Sequence, residues 1–136
     1  MKKTFHQALS RRSGTADRIA ASASVSADSA WYDGHFPGAP LLPGIAILAL
    51  VEEAILAAER GEGRSMRITG LGRVRFRLPV RPDEELTLKI SRREGRDGWT
   101  YLFSVARAGE PACTGAFTAE PVVSPRHKSL DKDQCF

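Results

Sequence analysis

The stretch IAILALVEEAILAAERGEG, residues 45–63, sets the strictest limit on how this chain can fold. It is rich in Ala and Leu, has no Gly or Pro before Gly61, and closes on Arg60-Gly61, which predicts one helix with a glycine stop. Its first half, Ile45–Val51, is apolar on every side. A helix of that kind is enclosed by other elements rather than laid on a surface. The apolar run is far too short to span a bilayer.

What can enclose it is written on either side. Ile19, Ala21, Ala23 and Val25 alternate with Ala20, Ser22, Ser24 and Ser26, the period of two that marks a strand. Beyond the helix, Ile68, Val74, Phe76 and Leu78 share one parity, and Gly70 and Gly72 among them suggest a bulge or a close approach. Leu86, Leu88 and Ile90 form a third pattern, Trp99, Tyr101, Phe103 and Val105 a fourth, and Cys113, Gly115, Phe117 and Ala119 a fifth. EGRDG and AGEP separate the last three as hairpin turns. The order is strand, long loop, buried helix, four antiparallel strands: an α+β domain whose single helix is wrapped by a curved sheet, with help from a second subunit.

The 136 residues suffice for one modest core. Residues 1–16 are polar and read as a flexible arm, 17–123 as the domain, and 124–136 as a disordered tail. MKKTFHQALSRRSG lacks the apolar stretch of a secretory signal, so a cytoplasmic location is expected. Cys113 and Cys135 make no disulfide framework, and no Cys or His spacing suits a metal. A net charge of +4 favours acidic partners.

Between the first strand and the helix lies DGHFPGAPLLPG, Asp33–Gly44. Pro37-Gly38 and Pro43-Gly44 restrict it to a few turn geometries. Pro43 and Gly44 fall at the helix start, where Pro is tolerated and Gly lets a ligand approach the backbone closely. The first helical amides are unpaired and carry positive potential, so they can hold a partial negative charge such as a polarised thioester oxygen. A rigid loop sets His35 near them, and His is the side chain suited to proton transfer near neutral pH. Alone, a loop His more often just hydrogen-bonds within its turn.

GHFPGAPLLPG closely resembles the signature loop of the beta-hydroxyacyl-ACP dehydratases of the hotdog fold, the FabZ/FabA type. Gly34, His35, Phe36, Pro37, Gly38, Pro40, Pro43 and Gly44 match its fixed positions. GRVRFRLPVRPDEEL resembles the family's later strand and turn through Val74, Arg75, Phe76, Pro79, Val80, Pro82, Asp83 and Leu86. The turn glycine is missing, so Asp83-Glu84 must make that corner. The resemblance implies a hotdog homodimer acting on (3R)-hydroxyacyl thioesters, removing water or adding it back. His35 is then the base and the Gly44 amide the oxyanion donor, with Phe36, Pro43 and Ala49 against the substrate. No cofactor or metal is implied, because elimination beside an activated thioester needs none.

The chain departs from the pattern at one place. The family carries a Glu or Asp fourteen residues after the loop His; here that position is Ala49. Glu52 and Glu53 follow three and four residues later, on the same face about 5–6 Å further along. Glu53 is the substitute carboxylate to test, against the alternative that both belong to a solvated helix end. Ala49 also keeps two other functions open: a non-catalytic acyl-thioester-binding or partner subunit, and a hotdog thioesterase in which Glu53 directs water.

Arg73, Arg75 and Arg77 alternate with Val74, Phe76 and Leu78, which places them on one strand face. They are either a solvated face or a docking patch for an acidic acyl carrier protein, the partner the resemblance implies, with CoA thioesters the other source of substrate. No aromatic platform or recognition motif supports nucleic-acid binding, and no membrane association is expected. Trp31 and Tyr32 either shape an acyl tunnel or belong to the core.

Overall fold

The computed structural model describes residues 8–26, 42–96 and 98–122, with 8–13 by their backbone alone. Strands β1 (Ala8–Thr15) and β2 (Arg18–Ser24) precede helix α1 (Gly44–Gly61); β3 (Met66–Phe76), β4 (Leu86–Gly95), β5 (Gly98–Arg107) and β6 (Glu110–Pro121) follow it. All pairings are antiparallel, in one sheet ordered β1-β2-β4-β5-β6-β3. One helix against one face of an antiparallel sheet is the hotdog architecture that the loop implied.

The alternating patterns build the core as read. Ile19, Ala21 and Ala23 of β2, Leu86, Leu88 and Ile90 of β4, and Tyr101, Phe103 and Val105 of β5 are buried beneath Ala46, Ile47, Leu50, Val51, Ala54 and Ile55 of α1. The sheet wraps one side of the helix, and on the other side Ile45 is 65% exposed.

β3 shows how a parity can hold at both ends and fail between them. Ile68 pairs with Ala119 and Gly70 with Thr118, so Thr69 is an extra residue. A second bulge follows, since Gly72 pairs with Ala116 and Arg75 with Thr114. Each inserted residue exchanges the two faces of the strand. Leu71, opposite buried Phe117, therefore faces the helix side midway, and Val74 and Phe76 face it again after the second bulge. Arg73 occupies that second bulge in the left-handed region at φ 56, where a glycine is usual.

Two further corrections concern the chain's start and the helix stop. Residues 8–15, read as part of a loose arm, form the edge strand β1, paired from Ala8–Ser24 to Thr15–Arg18. ALSRRSGT shows no apolar alternation because an edge strand can be held by backbone hydrogen bonds, and charge along an edge is an ordinary guard against further pairing. Helix α1 runs through Gly61, and the left-handed glycine behind it is Gly63 at φ 82.

The missing turn glycine is replaced as expected. Asp83 takes the left-handed conformation itself, at φ 64. Its amide donates to the Val25 carbonyl at 2.9 Å, and the Glu84 carboxylate accepts from the Arg81 amide at 2.7 Å. The Leu42 amide donates to the Val80 carbonyl at 2.7 Å. The segment around Val80 thus ties the end of β2 to the start of α1, which fixes where the helix begins.

Candidate functional site

The start of α1 is the chemically open end of the helix. Pro43 is its N-cap residue, extended at φ −62 and ψ 147, with no side-chain cap and no acidic residue in the first turn. The amides of Ala46 and Ile47 donate to the Pro43 carbonyl, at 3.0 and 3.4 Å. The amides of Gly44 and Ile45 have no acceptor among the described residues. An uncapped helix start with no carboxylate of its own keeps its positive potential, equivalent to about half a charge, available to an outside acceptor.

Gly44 is there for a close contact. A Cβ at that position would lie 2.5 Å from Cζ of Phe76 and 2.7 Å from its Cε1. The sequence assigns the freedom of this glycine to an approaching ligand; the structure places the Phe76 ring, 52% exposed, against it. Pro43 and Gly44 are half-buried.

Ala49, Glu52, Glu53, Leu56 and Arg60 line a depression of about 300 Å³ on the face of α1 turned away from the sheet. Ala49 and Glu53 thus share the uncovered face that also carries Ile45, and Glu52 lies there too. The helix order predicted this, because positions 46, 47, 50, 51, 54 and 55 take the buried side. His35 and Phe36 lie outside the described residues, as do Trp31 and Tyr32.

Arg73, Arg75 and Arg77 are all exposed but do not form the regular stripe expected. Arg73 sits in the bulge, and Arg77 lies beyond the end of β3, its amide donating to the Ala112 carbonyl at 2.8 Å. Arg75, paired with Thr114, is on the sheet face away from the helix.

Residues 10–116 match the ApeI-like family, described as ApeI dehydratase. The chain belongs to the ApeI-like dehydratase family. It is 32% identical over 103 residues to 3-hydroxyacyl-(acyl-carrier-protein) dehydratase FabZ of Oenococcus oeni, covering 72% of this chain and 74% of that one. With the FabZ of Latilactobacillus sakei it shares 34% over 99 residues, 69% of this chain and 71% of the other. Among solved structures, the dehydratase heterocomplex ApeI:P of Xenorhabdus doucetiae superposes with TM-score 0.67 at 22% identity, over 84% of this chain and 97% of that one. A hypothetical thioesterase with coenzyme A from Streptococcus pneumoniae gives 0.68 at 12% identity, over 86% of each chain. At these identities the structural likenesses establish the hotdog fold.

The far end of α1 holds a cluster that the sequence reading missed. Glu59 is fully buried. Its Oε1 accepts from Arg64 Nε at 2.7 Å, and its Oε2 accepts from Arg92 NH1 at 2.8 Å and from the Tyr101 hydroxyl at 2.5 Å. Burial alone would raise the Glu59 pKa, but hydrogen bonds from Tyr101, Arg64 and Arg92 outweigh it and hold the carboxyl below its usual range. Burial, then the bond to Glu59, pushes the Tyr101 phenol well upward. Arg92 also bonds Asp17 in the β1–β2 turn, and its guanidinium lies 4.3 Å from the centre of the Trp99 ring. Glu62 accepts from the Ala16 amide at 2.6 Å. The signal was present: Glu59 continues the series 47, 51, 55 on the buried stripe.

None of the helices of the described residues is long and apolar enough to cross a membrane. No cluster of three metal-ligating side chains occurs among those residues.

Proposed function

We propose that this ApeI-like chain is a hydro-lyase for (3R)-hydroxyacyl thioesters, acting on acyl carrier protein-linked chains in fatty acid or related acyl-chain biosynthesis. The observation that carries the reading is the uncapped, carboxylate-free start of α1 beside Pro43 and Gly44, with Ala49 and Glu53 on its uncovered face. The thioester carbonyl oxygen accepts from the Gly44 amide, which stabilises the charge that develops as the C2 proton leaves. His35 takes that proton. The C2–H electron pair becomes the C2=C3 double bond, the C3–O bond breaks, and the departing hydroxyl is protonated and leaves as water. Glu53 is the carboxylic acid within reach of the position that Ala49 leaves empty.

The exposed apolar side chains Ile45, Leu71 and Phe76 support a homodimer, since all lie on the helix side near the β3 edge. Each site then takes His35 from one copy and the helix residues from the other. Arg73, Arg75 and Arg77 are the proposed docking residues for the carrier.

A second reading rests on Ala49 itself: without a carboxylate at that turn, the chain is a non-catalytic acyl-thioester-binding subunit. Hydration of a 2-enoyl thioester, followed by loss of enoyl absorbance, separates the two. The hydro-lyase reading expects slow turnover, abolished by His35→Ala, reduced by Glu53→Gln and raised by Ala49→Glu. A positioned acid or base contributes about 10²–10⁴-fold. Binding without turnover in the native chain, with activity created by Ala49→Glu, supports the binding subunit. Turnover indifferent to both His35→Ala and Ala49→Glu overturns the site.

A further inference from the structure

The depression on the uncovered face of α1 is charged at both of its ends, with opposite signs. Glu52 and Glu53 line it beside Ala49, Arg60 lines its far end, and Leu56 lies between. None of the three charged side chains makes an ion pair or a side-chain hydrogen bond among the described residues. Arg60 is also left without a counter-charge by its own helix. An acid three or four residues before it would supply one, but those positions are Ala57 and Leu56. The nearby acids are committed elsewhere: Glu59 to Arg64, Arg92 and Tyr101, and Glu62 to Arg64 and the Ala16 amide.

We infer that Arg60 receives an anionic end of the acyl chain, so that the substrate class is an acyl thioester whose chain closes in a carboxylate. The inference rests on the thioester site proposed above, in either its catalytic or its binding form. Glu53 and Arg60 are about 10 Å apart along the helix axis at 1.5 Å per residue. Helical side chains lean toward the N-terminus, which brings the guanidinium back over Leu56 by about one turn, ~5 Å. With C3 of the chain beside Glu53, about 5 Å then remain. An extended chain of single bonds gains about 1.2 Å per bond, so a chain of about seven or eight carbons places its end at Arg60.

The charges favour that occupant over a plain hydrocarbon end. A guanidinium takes a carboxylate through two parallel hydrogen bonds. A methyl end would displace water from Arg60 without replacing those bonds, and Leu56 alone offers it apolar surface larger than a methyl group. Glu52 and Glu53 repel the same carboxylate from the near end, so the chain is held in one direction. A second copy over this face would exclude water and strengthen the pair. The other anion a thioester brings is the phosphate of its carrier arm, which lies on the opposite side of the thioester from the chain.

The test is titration calorimetry on the whole chain with two coenzyme A thioesters of one saturated chain of about eight carbons, one ending in methyl and one in carboxylate. Free coenzyme A is the control for the phosphates. The carboxylate-ended thioester is expected to bind about fivefold or more tightly than the methyl-ended one, with an advantage that shrinks as salt rises. Arg60→Gln should remove the advantage, Arg60→Glu invert it and Arg60→Lys keep part of it. On the isotopically labelled wild-type chain, which needs no variant to fold, the carboxylate-ended ligand should shift the Arg60 Nε–H resonance and the methyl-ended one should not. Equal binding of the two thioesters, or an advantage that survives Arg60→Gln, overturns the inference. An equal loss of free coenzyme A binding in Arg60→Gln also overturns it and assigns Arg60 to the carrier's phosphate. Hydration of the matching 2-enoyl thioesters separates the subsite from the reaction. Preferential binding without turnover of either chain supports the subsite and overturns the hydro-lyase reading. Turnover of both chains with the same kcat and KM overturns the subsite alone, and failure of both thioesters to bind overturns both.

Discussion

The two ends of α1 are built on opposite principles. At the C-terminal end the polar groups are densely engaged, with buried Arg92 Nε alone left without a hydrogen-bond partner among the described residues: Glu59 accepts from three donors, Glu62 holds the Ala16 amide, and Arg64 and Arg92 approach the Trp99 ring at 5.1 and 4.3 Å. At the N-terminal end no described side chain caps the helix, and Ile45 is exposed. One end fixes the helix on the sheet through the β1–β2 turn. The other end leaves, among the described residues, two amides without an acceptor and apolar surface exposed, as the proposed site requires. On the proposed function, stability and chemistry are separated along eighteen residues of helix.

The largest expected effect breaks the locked end. Glu59→Gln removes the charge facing Arg92, whose side chain is only 6% exposed. Breaking a buried pair on one side typically costs about 3–5 kcal/mol, measured here by denaturant unfolding. The native pair also carries a pH signature. The folded Glu59 pKa lies below its unfolded value, so its contribution is fully present above the ordinary carboxylate range and is lost as pH falls through the lower folded value. Glu59→Gln should flatten that acid limb. An unchanged limb would mean that other carboxylates govern acid unfolding.

The next effect sharpens the open end. Ile45→Ser touches an exposed side chain, and surface changes usually stay within about 0.5 kcal/mol for an isolated chain. If a second copy covers this face, each copy instead loses about 1.5–3 kcal/mol of burial, and the dimer dissociates at higher concentration in sedimentation equilibrium. A wild-type chain that sediments as a monomer at micromolar concentration removes the shared site.

The same contrast explains what the sequence could and could not convey. Burial follows periodicity, so the extent of α1 and the inward residues of β2, β4 and β5 were legible. Gly70 and Gly72 announced irregularity in β3, but the pattern alone could not place two bulges, and Arg73 was therefore put on a face it does not share regularly with Arg75. β1 was invisible because its pairing is a backbone matter. Glu59 was overlooked because charge was read as exposure, although its spacing from Val51 and Ile55 put it on the buried stripe. The partners that make burial tolerable, Arg64, Arg92 and Tyr101, are brought to it only by the fold. His35 and Phe36 rest on the motif alone, since they lie outside the described residues.

The smallest effect concerns Gly44, where the two principles touch. Gly44→Ala should gain up to about 1 kcal/mol of helix propensity. Against that, the new Cβ would sit 2.5 Å from the Phe76 ring, which must move. The ring is half exposed and is met at its far tip, so it can swing outward at modest cost. The two effects nearly offset, and net stability should change by less than about 1 kcal/mol. In a Phe76→Ala background the obstacle is gone, and the same Gly44→Ala change should be stabilising. The difference between backgrounds is the coupling energy, about 0.5–3 kcal/mol for residues in contact. Equal effects in both backgrounds would show that the ring does not set the need for glycine. Turnover read on the same four proteins then divides the roles: a fall in Gly44→Ala that Phe76→Ala restores belongs to the displaced ring, whereas a fall that persists belongs to the amide face of the helix start.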